Sequence, residues 1–395
     1  MSGYSIKNQT TDSALPLVSF LIPVYKTPPK WLWEMFYSVL RVARKYGNYE
    51  IIIHDDHSNE PELTKLLETL AAMDSERIRL STLNSNVGIC VSRQILLELA
   101  KGKYIVSFDS DDLMLDFDLA EEIRYLEANP QLAATYARKY SFDSNYKITN
   151  DCMGMPYSPF ISVSCMCPMP NGAIIRREAL ASCGGYANID NSLADDFVMF
   201  SRLSEHYNME MRPVVRAMNR IHDNHYHDSP SGDASNQYCR QRILMRNVEC
   251  SVLLNEKIEL KIPDYQVLAL AGLVFRNRQN EFVFCRDFLA RLLKRYSYDM
   301  GMQSAYMSML FNLREFDKLQ GHIKTLSTMD NIPEVQWVWF SQVAQAMVNS
   351  GLRNEWLFST VTRSYASLDT KPDVAVRFKQ LLDHLLIFQP VPHNG

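Results

Sequence analysis

Between Leu17 and Asp109 the chain alternates short apolar runs with longer stretches of helical spacing. LVSFLIPVY (Leu17 to Tyr25) is almost uninterruptedly apolar, which predicts a strand buried on both faces. WLWEMFYSVLRVARKYG carries its apolar residues three and four apart and stops at Gly47, predicting an amphipathic helix. YEIIIHDD then reads as a second buried strand, and PELTKLLETLAAMDS as a second helix with Pro61 in its first turn. IRLSTLN, GICVSRQILLELAKG and KYIVSFD supply a third strand, a third helix and a fourth strand. The order βαβαβαβ predicts an α/β fold with a Rossmann-like, mostly parallel sheet covered by helices on both faces. Ligands of such sheets gather at the carboxyl ends of the strands. Asp55 and Asp56 end the second strand, Asp109 and Asp111 the fourth, so two acidic pairs are expected on one rim.

The pattern changes further along. Residues 130–240 are less regular and rich in Met, Pro, Ser and Asn, with a helix from about Asp195 to His206. From about Ser235 no strand is predicted; amphipathic segments follow one another, punctuated at Pro263, Gly321, Pro333, Gly351 and Pro372. NRQNEF and NLREF place Phe282 and Phe316 at equivalent positions, and GLRNEW repeats the pattern at Trp356. Helical hairpins of the tetratricopeptide kind and a plain helical bundle both satisfy this spacing. The division expected is a flexible tail over 1–16, an α/β domain over 17–235 and an all-helical domain over 236–395.

Composition narrows the setting. The 395 residues are 47% apolar and carry a formal charge of −4, which gives no electrostatic case for nucleic acid. Eight cysteines at irregular spacing in a chain of this size favour a reduced, cytoplasmic protein. The polar start MSGYSIKNQTTDSALP lacks the apolar core of a signal peptide, and stretches such as VLALAGLVF are too short to span a bilayer. Peripheral contact with the cytoplasmic face of a membrane stays open.

In FDSDD three carboxylates crowd into four residues at a strand end. One is explained by capping the helix expected in DLMLDFDLAEEIRYL. Three, facing a second acidic pair, call for a cation, and carboxylate oxygens suit Mg²⁺ or Mn²⁺ held together with substrate phosphates.

The strings VSFLIPVY, YEIIIHDDHSNE, NSNVGICVSRQ, GKYIVSFDSDD, PNGAIIRREALASCGGY, LADDFVMFSRL and NRIHDNH resemble, in order, those of the family-2 glycosyltransferases, over roughly residues 17–230. The resemblance implies the A-type nucleotide-sugar fold and inverting transfer, with Mn²⁺ or Mg²⁺ as cofactor. It places Pro23, Tyr25 and Asp56 at the nucleotide base, with Asp55 beside them. A carboxylate there can accept the N–H of a uracil ring, and a UDP-sugar donor is expected. Arg93 is also placed on the donor side, although Ser92-Arg93-Gln94 stands where the family commonly reads Ala-Arg-Asn. Asp109 matches the ribose- and metal-side acid, Asp111 the direct metal ligand and His222 a further one; Asp112 is then read as the helix cap. Asp196 matches the general base, with Asp195 beside it where the family usually has Glu. His225 and His227 are read as surface histidines, and Cys165 and Cys167 as packing residues.

The reaction expected moves a sugar to a hydroxyl of a glycan, lipid-linked or protein acceptor. A sugar nucleotidyltransferase or a dinucleotide-dependent oxidoreductase would need a glycine-rich loop after the first strand, where this chain has PVYKTPPK. A weakly catalytic, transferase-like scaffold whose helical half binds partners, and a homo-oligomer built through that half, stay open.

Overall fold

The computed structural model describes residues 17–152, 157–164, 171–186, 195–222, 231–255, 257 and 260–326. The chain divides into two compact units, Met1–Asn247 with Glu259–Gly272, and Val248–Ile258 with Leu273–Gly395.

The first unit opens with the alternation that the hydrophobic pattern predicts: β1 (Val18–Val24), α1 (Pro29–Tyr46), β2 (Tyr49–Asp55), α2 (Pro61–Ala72), β3 (Ile78–Thr82), α3 (Ile89–Leu99) and β4 (Tyr104–Ser107). β3, β2, β1 and β4 lie side by side, all parallel. β1 and β2 are buried at every position, which is why each carries a mainly apolar run, FLIPV in β1 and III in β2. The core lies where Phe20, Ile22 and Val24 of β1 meet Leu32, Met35, Phe36 and Val39 of α1. α1 follows Pro28, with Pro29 in its first turn. It ends at Gly47, whose φ of 95° disfavours a side chain and whose N–H donates to the Ala43 carbonyl at 2.9 Å.

Beyond β4 the sheet becomes mixed. β5 (Leu113–Met114) and α4 (Leu119–Ala128) lead to β6 (Leu132–Phe142), β7 (Ile148–Cys152), α5 (Pro159–Ser164), β8 (Ile174–Arg176), α6 (Arg177–Ser182), α7 (Asp195–His206), β9 (Asn208–Arg220) and α8 (Ser231–Met245). The order is β3-β2-β1-β4-β8-β6-β9-β5, with β7 on β6. β8 runs antiparallel to β4 and to β6, whereas β9 runs parallel to β6. The parallel pairing expected of the strands up to Asp109 is found in all four of them, and the antiparallel pairs each involve a later strand.

Four strands fall in the stretch that sequence patterning leaves irregular, and β9 shows why. Arg212, Arg216 and Arg220 sit at every fourth residue of the strand, and Arg212 and Arg216 both reach Glu122. Arg216 and Arg220 are fully buried, Arg216 against Glu122 of α4 and Arg220 against Glu34 of α1. A hydrophobicity pattern cannot find a strand whose largest buried side chains are ion-paired arginines.

In the second unit, α9 (Asn247–Leu253) is followed by the end of α10 (Asp264–Arg278), then α11 (Phe282–Leu292), α12 (Met300–Asn312) and α13 (Phe316–Leu326). Phe282 and Phe316 each open an eleven-residue helix. Among the described residues this unit has no strand. Trp356 lies outside the described residues, as do His225, His227, Cys165, Cys167 and the 1–16 tail.

Candidate active site

The parallel register brings Val24 opposite Asp55, so Pro23, Tyr25, Asp55 and Asp56 converge at the carboxyl ends of β1 and β2. Tyr25 is exposed; the two acids are buried. Asp55 Oδ1 accepts the N–H of Ser58 at 3.2 Å and its hydroxyl at 2.5 Å, and Ser58 Oγ accepts the Lys26 N–H at 2.8 Å. Asp56 Oδ1 accepts the N–H of Val87, and Oδ2 accepts those of Gly88 and the Asn86 side chain, at 2.8 to 3.0 Å. Both carboxylates therefore shape the loops around the rim, and Asp56 ties β2 to the start of α3.

Arg93, on α3, joins two elements that are far apart in sequence. One nitrogen donates to Asp109 Oδ1 at 2.7 Å beyond β4, and another to Asp195 Oδ2 in the first turn of α7. Burial disfavours the guanidinium charge, but Asp195 and Asp109 outweigh that and hold it protonated. The same helix carries Gln94, whose Oε1 accepts the Tyr186 N–H at 3.0 Å. Gly185, at φ 52°, passes so close that a Cβ would stand 2.8 Å from that Oε1 and 2.6 Å from Leu97 Cδ2. Where the family commonly has Asn, Gln94 here positions the turn before α7.

The adjacent acids of α7 have different surroundings. Asp195 is 5% exposed and spent on Arg93, whereas Asp196 opens to solvent. The carboxyl of Asp196 is pushed up to about 6, first by the protein packed around it and then by the charge of Asp195, with Arg93 pulling the other way. A carboxylate poised near neutrality is suited to accept a proton.

At the other side of the rim, Asp111 Oδ2 lies 3.1 Å from His222 Nε2, and the His222 ring packs on Trp31 at 4.9 Å between centroids. Asp112 corrects one expectation. It caps no helix: α4 begins at Leu119, and Asp118 caps it by accepting the Glu121 N–H at 3.0 Å. Leu113 and Met114 pair with β9 instead of turning into helix. Asp112 Oδ1 accepts the Arg220 N–H at 2.9 Å and Oδ2 accepts Asn171 Nδ2 at 2.7 Å. Burial, then the charges of Asp111 and Asp109, push its carboxyl upward.

Three residues that support this loop escape sequence reading. Asn171 bridges it, its Oδ1 accepting the Asp109 N–H at 3.1 Å while its amide donates to Asp112. Arg220 Nε donates to the Asp111 carbonyl at 2.9 Å, and its terminal nitrogen to Glu34 at 2.8 Å. The guanidinium sits between Trp31, Phe142 and Tyr146, 4.7 to 5.5 Å from their ring centres. Asn171 lies in the PNG turn string, and Glu34 is the one acid in an otherwise apolar and basic helix; each is a signal only in hindsight. Replacing Arg220 with Met is expected to cost about 2–3 kcal/mol of stability, because Glu34 and the Asp111 carbonyl lose their donor. The measurement is the urea midpoint at unchanged slope.

The family model described as glycosyl transferase family 2 matches residues 19–184, from β1 to the turn before α7. Over those residues the chain is similar to the family 2 glycosyltransferases. The mixed sheet with its acidic rim is accordingly of the nucleotide-sugar (GT-A) type. An uncharacterized glycosyltransferase of Methanocaldococcus jannaschii is 29% identical over 34% of this chain and 46% of its own length. The poly(ribitol-phosphate) beta-N-acetylglucosaminyltransferase TarP of Staphylococcus aureus is 33% identical over 28% of this chain and 33% of its own. The chain thus spans less than half the length of these relatives. A crystal structure of S. aureus TarS 1-349 in complex with UDP aligns over 89% of this chain and 93% of that one, at a TM-score of 0.48 and 13% identity.

Proposed function

We propose that this glycosyltransferase domain moves a sugar from a nucleotide-sugar, a UDP-sugar first, to an acceptor hydroxyl with inversion, Asp196 acting as the general base. The observation that carries the reading is the Arg93 bridge, which joins the α7 acids to the Asp109 end of β4. A base and a donor-side acid are thereby held on the two sides of one small region. Asp196 is the open acid of its pair and ionises near neutrality, so it is the one able to take the acceptor proton as the bond forms. Asp195 and Arg93 then act as fixed charges that set where Asp196 sits and how easily it ionises.

The donor set for a divalent ion is small but chemically apt. Among the described residues no group of three or more His, Cys, Asp or Glu is arranged to hold an ion. Asp111, with His222 Nε2 3.1 Å from its carboxylate, would hold the ion, a carboxylate oxygen being the donor that Mg²⁺ and Mn²⁺ favour. Substrate phosphates and water would complete the shell. Asp109 has one oxygen on Arg93, which leaves it on the ribose side of the pair. A bound Mg²⁺ or Mn²⁺ would act as a Lewis acid that offsets charge on the departing diphosphate. Trp31 fixes the His222 ring and Arg220 the Asp111 backbone, so both ligands are oriented before anything binds. The TarP name puts N-acetylhexosamines first among sugars to try, on a glycan, lipid-linked or protein acceptor.

Thermal-shift titration with UDP-, GDP- and dTDP-sugars, with and without Mn²⁺, tests the donor class, since a ligand of the native state raises apparent stability. A Mn²⁺-dependent rise with UDP-sugars is expected, reduced at least tenfold in Mn²⁺ affinity by Asp111→Asn. Transfer at wild-type rate with unchanged Mn²⁺ dependence in that variant would remove the metal assignment.

A further inference from the structure

The outer face of α1 has an unusual composition. Lys30, Trp33, Tyr37, Arg41 and Arg44 are exposed and spaced three, four, four and three residues apart. That spacing puts them on one line along the helix, about 21 Å long at 1.5 Å per residue. Trp33 and Tyr37 are each 40% exposed, their rings 4.6 Å apart. Exposed Lys45 lies beside the line, 3.4 Å from Asp116. The one acid of α1, Glu34, holds Arg220 and the Tyr146 hydroxyl and lies 3.9 Å from Lys30, so it offsets charge only at the start of the line. No exposed acid occurs from Tyr25 to Lys45, although the chain as a whole is acidic by four charges. Neighbouring helices differ: α2 exposes Glu62 and Glu68, and α4 exposes Glu121 and Glu127. The cationic line therefore belongs to α1 and is not a general property of the surface. It also leads to the rim, where Lys26 sits 5.3 Å over the exposed Tyr25 ring at the end of β1.

We propose that this face of α1 docks on the surface of a bilayer containing anionic lipid. Cations alone would suit any polyanion. The two aromatic side chains set between them select a layered partner, with charge at the headgroups and apolar chains just below, where Trp and Tyr rings settle. Exposed aromatics with a polar tip are otherwise a poor choice for a face that meets only water. Docked this way, the domain brings the Tyr25 end of the rim toward the bilayer. Resting on the glycosyl-transfer reading, that orientation selects a lipid-linked hydroxyl from the acceptor classes above.

The test is co-sedimentation of the full chain with vesicles of phosphatidylcholine alone or with about 30% phosphatidylglycerol. Binding is expected only to the anionic vesicles and weakens as salt is raised from about 0.1 to 0.5 M, where screening shortens the reach of the charges. Arg41→Gln with Arg44→Gln should weaken it about thirtyfold, the worth of two basic side chains at such a surface. Trp33→Ser with Tyr37→Ser should weaken it at least tenfold, whereas Lys65→Gln on the outer face of α2 should leave it unchanged. Absence of anionic-vesicle binding by the wild-type chain, or full binding by the Arg41/Arg44 variant, overturns the proposal. So does full binding by the Trp33/Tyr37 variant, which would mark the face as a site for a soluble acidic partner. Thermal shifts by nucleotide-sugar, read on the same variants without vesicles, should match wild type. A wild-type chain that binds vesicles but no nucleotide-sugar would retain the surface and remove the transfer reading.

Discussion

Asp196→Asn is expected to lower sugar transfer by about 10²–10⁴-fold, the usual worth of a positioned general base. Binding of the nucleoside diphosphate, read by thermal shift, should be unchanged, because Asp196 faces the acceptor in the proposed reaction. The wild-type pH profile carries a second signature. The base works only when ionised, and the Asp196 carboxyl is pushed up to about 6, mainly by the protein around it and next by Asp195. The rate should therefore be flat above about pH 7, reach half its plateau near pH 6 and fall about tenfold per unit below that. An ordinary aspartate, ionising near about 3.9, would keep the profile flat to about pH 5. The check is kcat/KM from pH 4.5 to 8.5 in one ionic strength. An Asn variant that retains the rate, or a profile flat to pH 4.5, would exclude Asp196 as the base.

How much of this arrangement the chain discloses depends on which interaction places each residue. The strands β1, β2 and β4 announce themselves because their burial is apolar, and the topology rule then brings Asp55, Asp56 and Asp109 to one edge with no further information. β9 is held by a different kind of contact. The largest buried side chains of β9 are Arg216 and Arg220, whose partners, Glu122 and Glu34, lie 94 and 186 residues earlier, and no local window contains both members of such a pair. Asp112 shows the same limit at smaller scale. Its carboxylate could cap a following helix or meet a distant backbone, and the choice is made by Arg220 and Asn171, neither of them nearby in sequence. The local competitor, Asp118, caps α4 with an ordinary Asp-to-third-residue bond. Arg93 illustrates the opposite case: its place at the donor side follows from resemblance, yet the bond to Asp195 that joins the two halves of the rim is a tertiary fact.

That bond supports the second large effect. Arg93→Met should destabilise the first unit by about 3–5 kcal/mol, since it strands the nearly buried Asp195 carboxylate without its partner. Adding Asp195→Asn should recover much of that loss, because removing both charges of a buried pair costs far less than removing one. The cycle is read from urea midpoints of the four chains at common slope. The same two substitutions should move the acid limb of the pH profile in opposite directions, which a merely structural role for the pair would not do. Arg93 favours the ionised form of Asp196 and Asp195 disfavours it. Losing the arginine should carry the midpoint above about 6, whereas Asp195→Asn alone should carry it below. If both single variants shifted the limb the same way, or neither shifted it, the ionisation governing transfer would reside on some other group, and the charge triad Arg93–Asp195–Asp196 would be scaffolding alone.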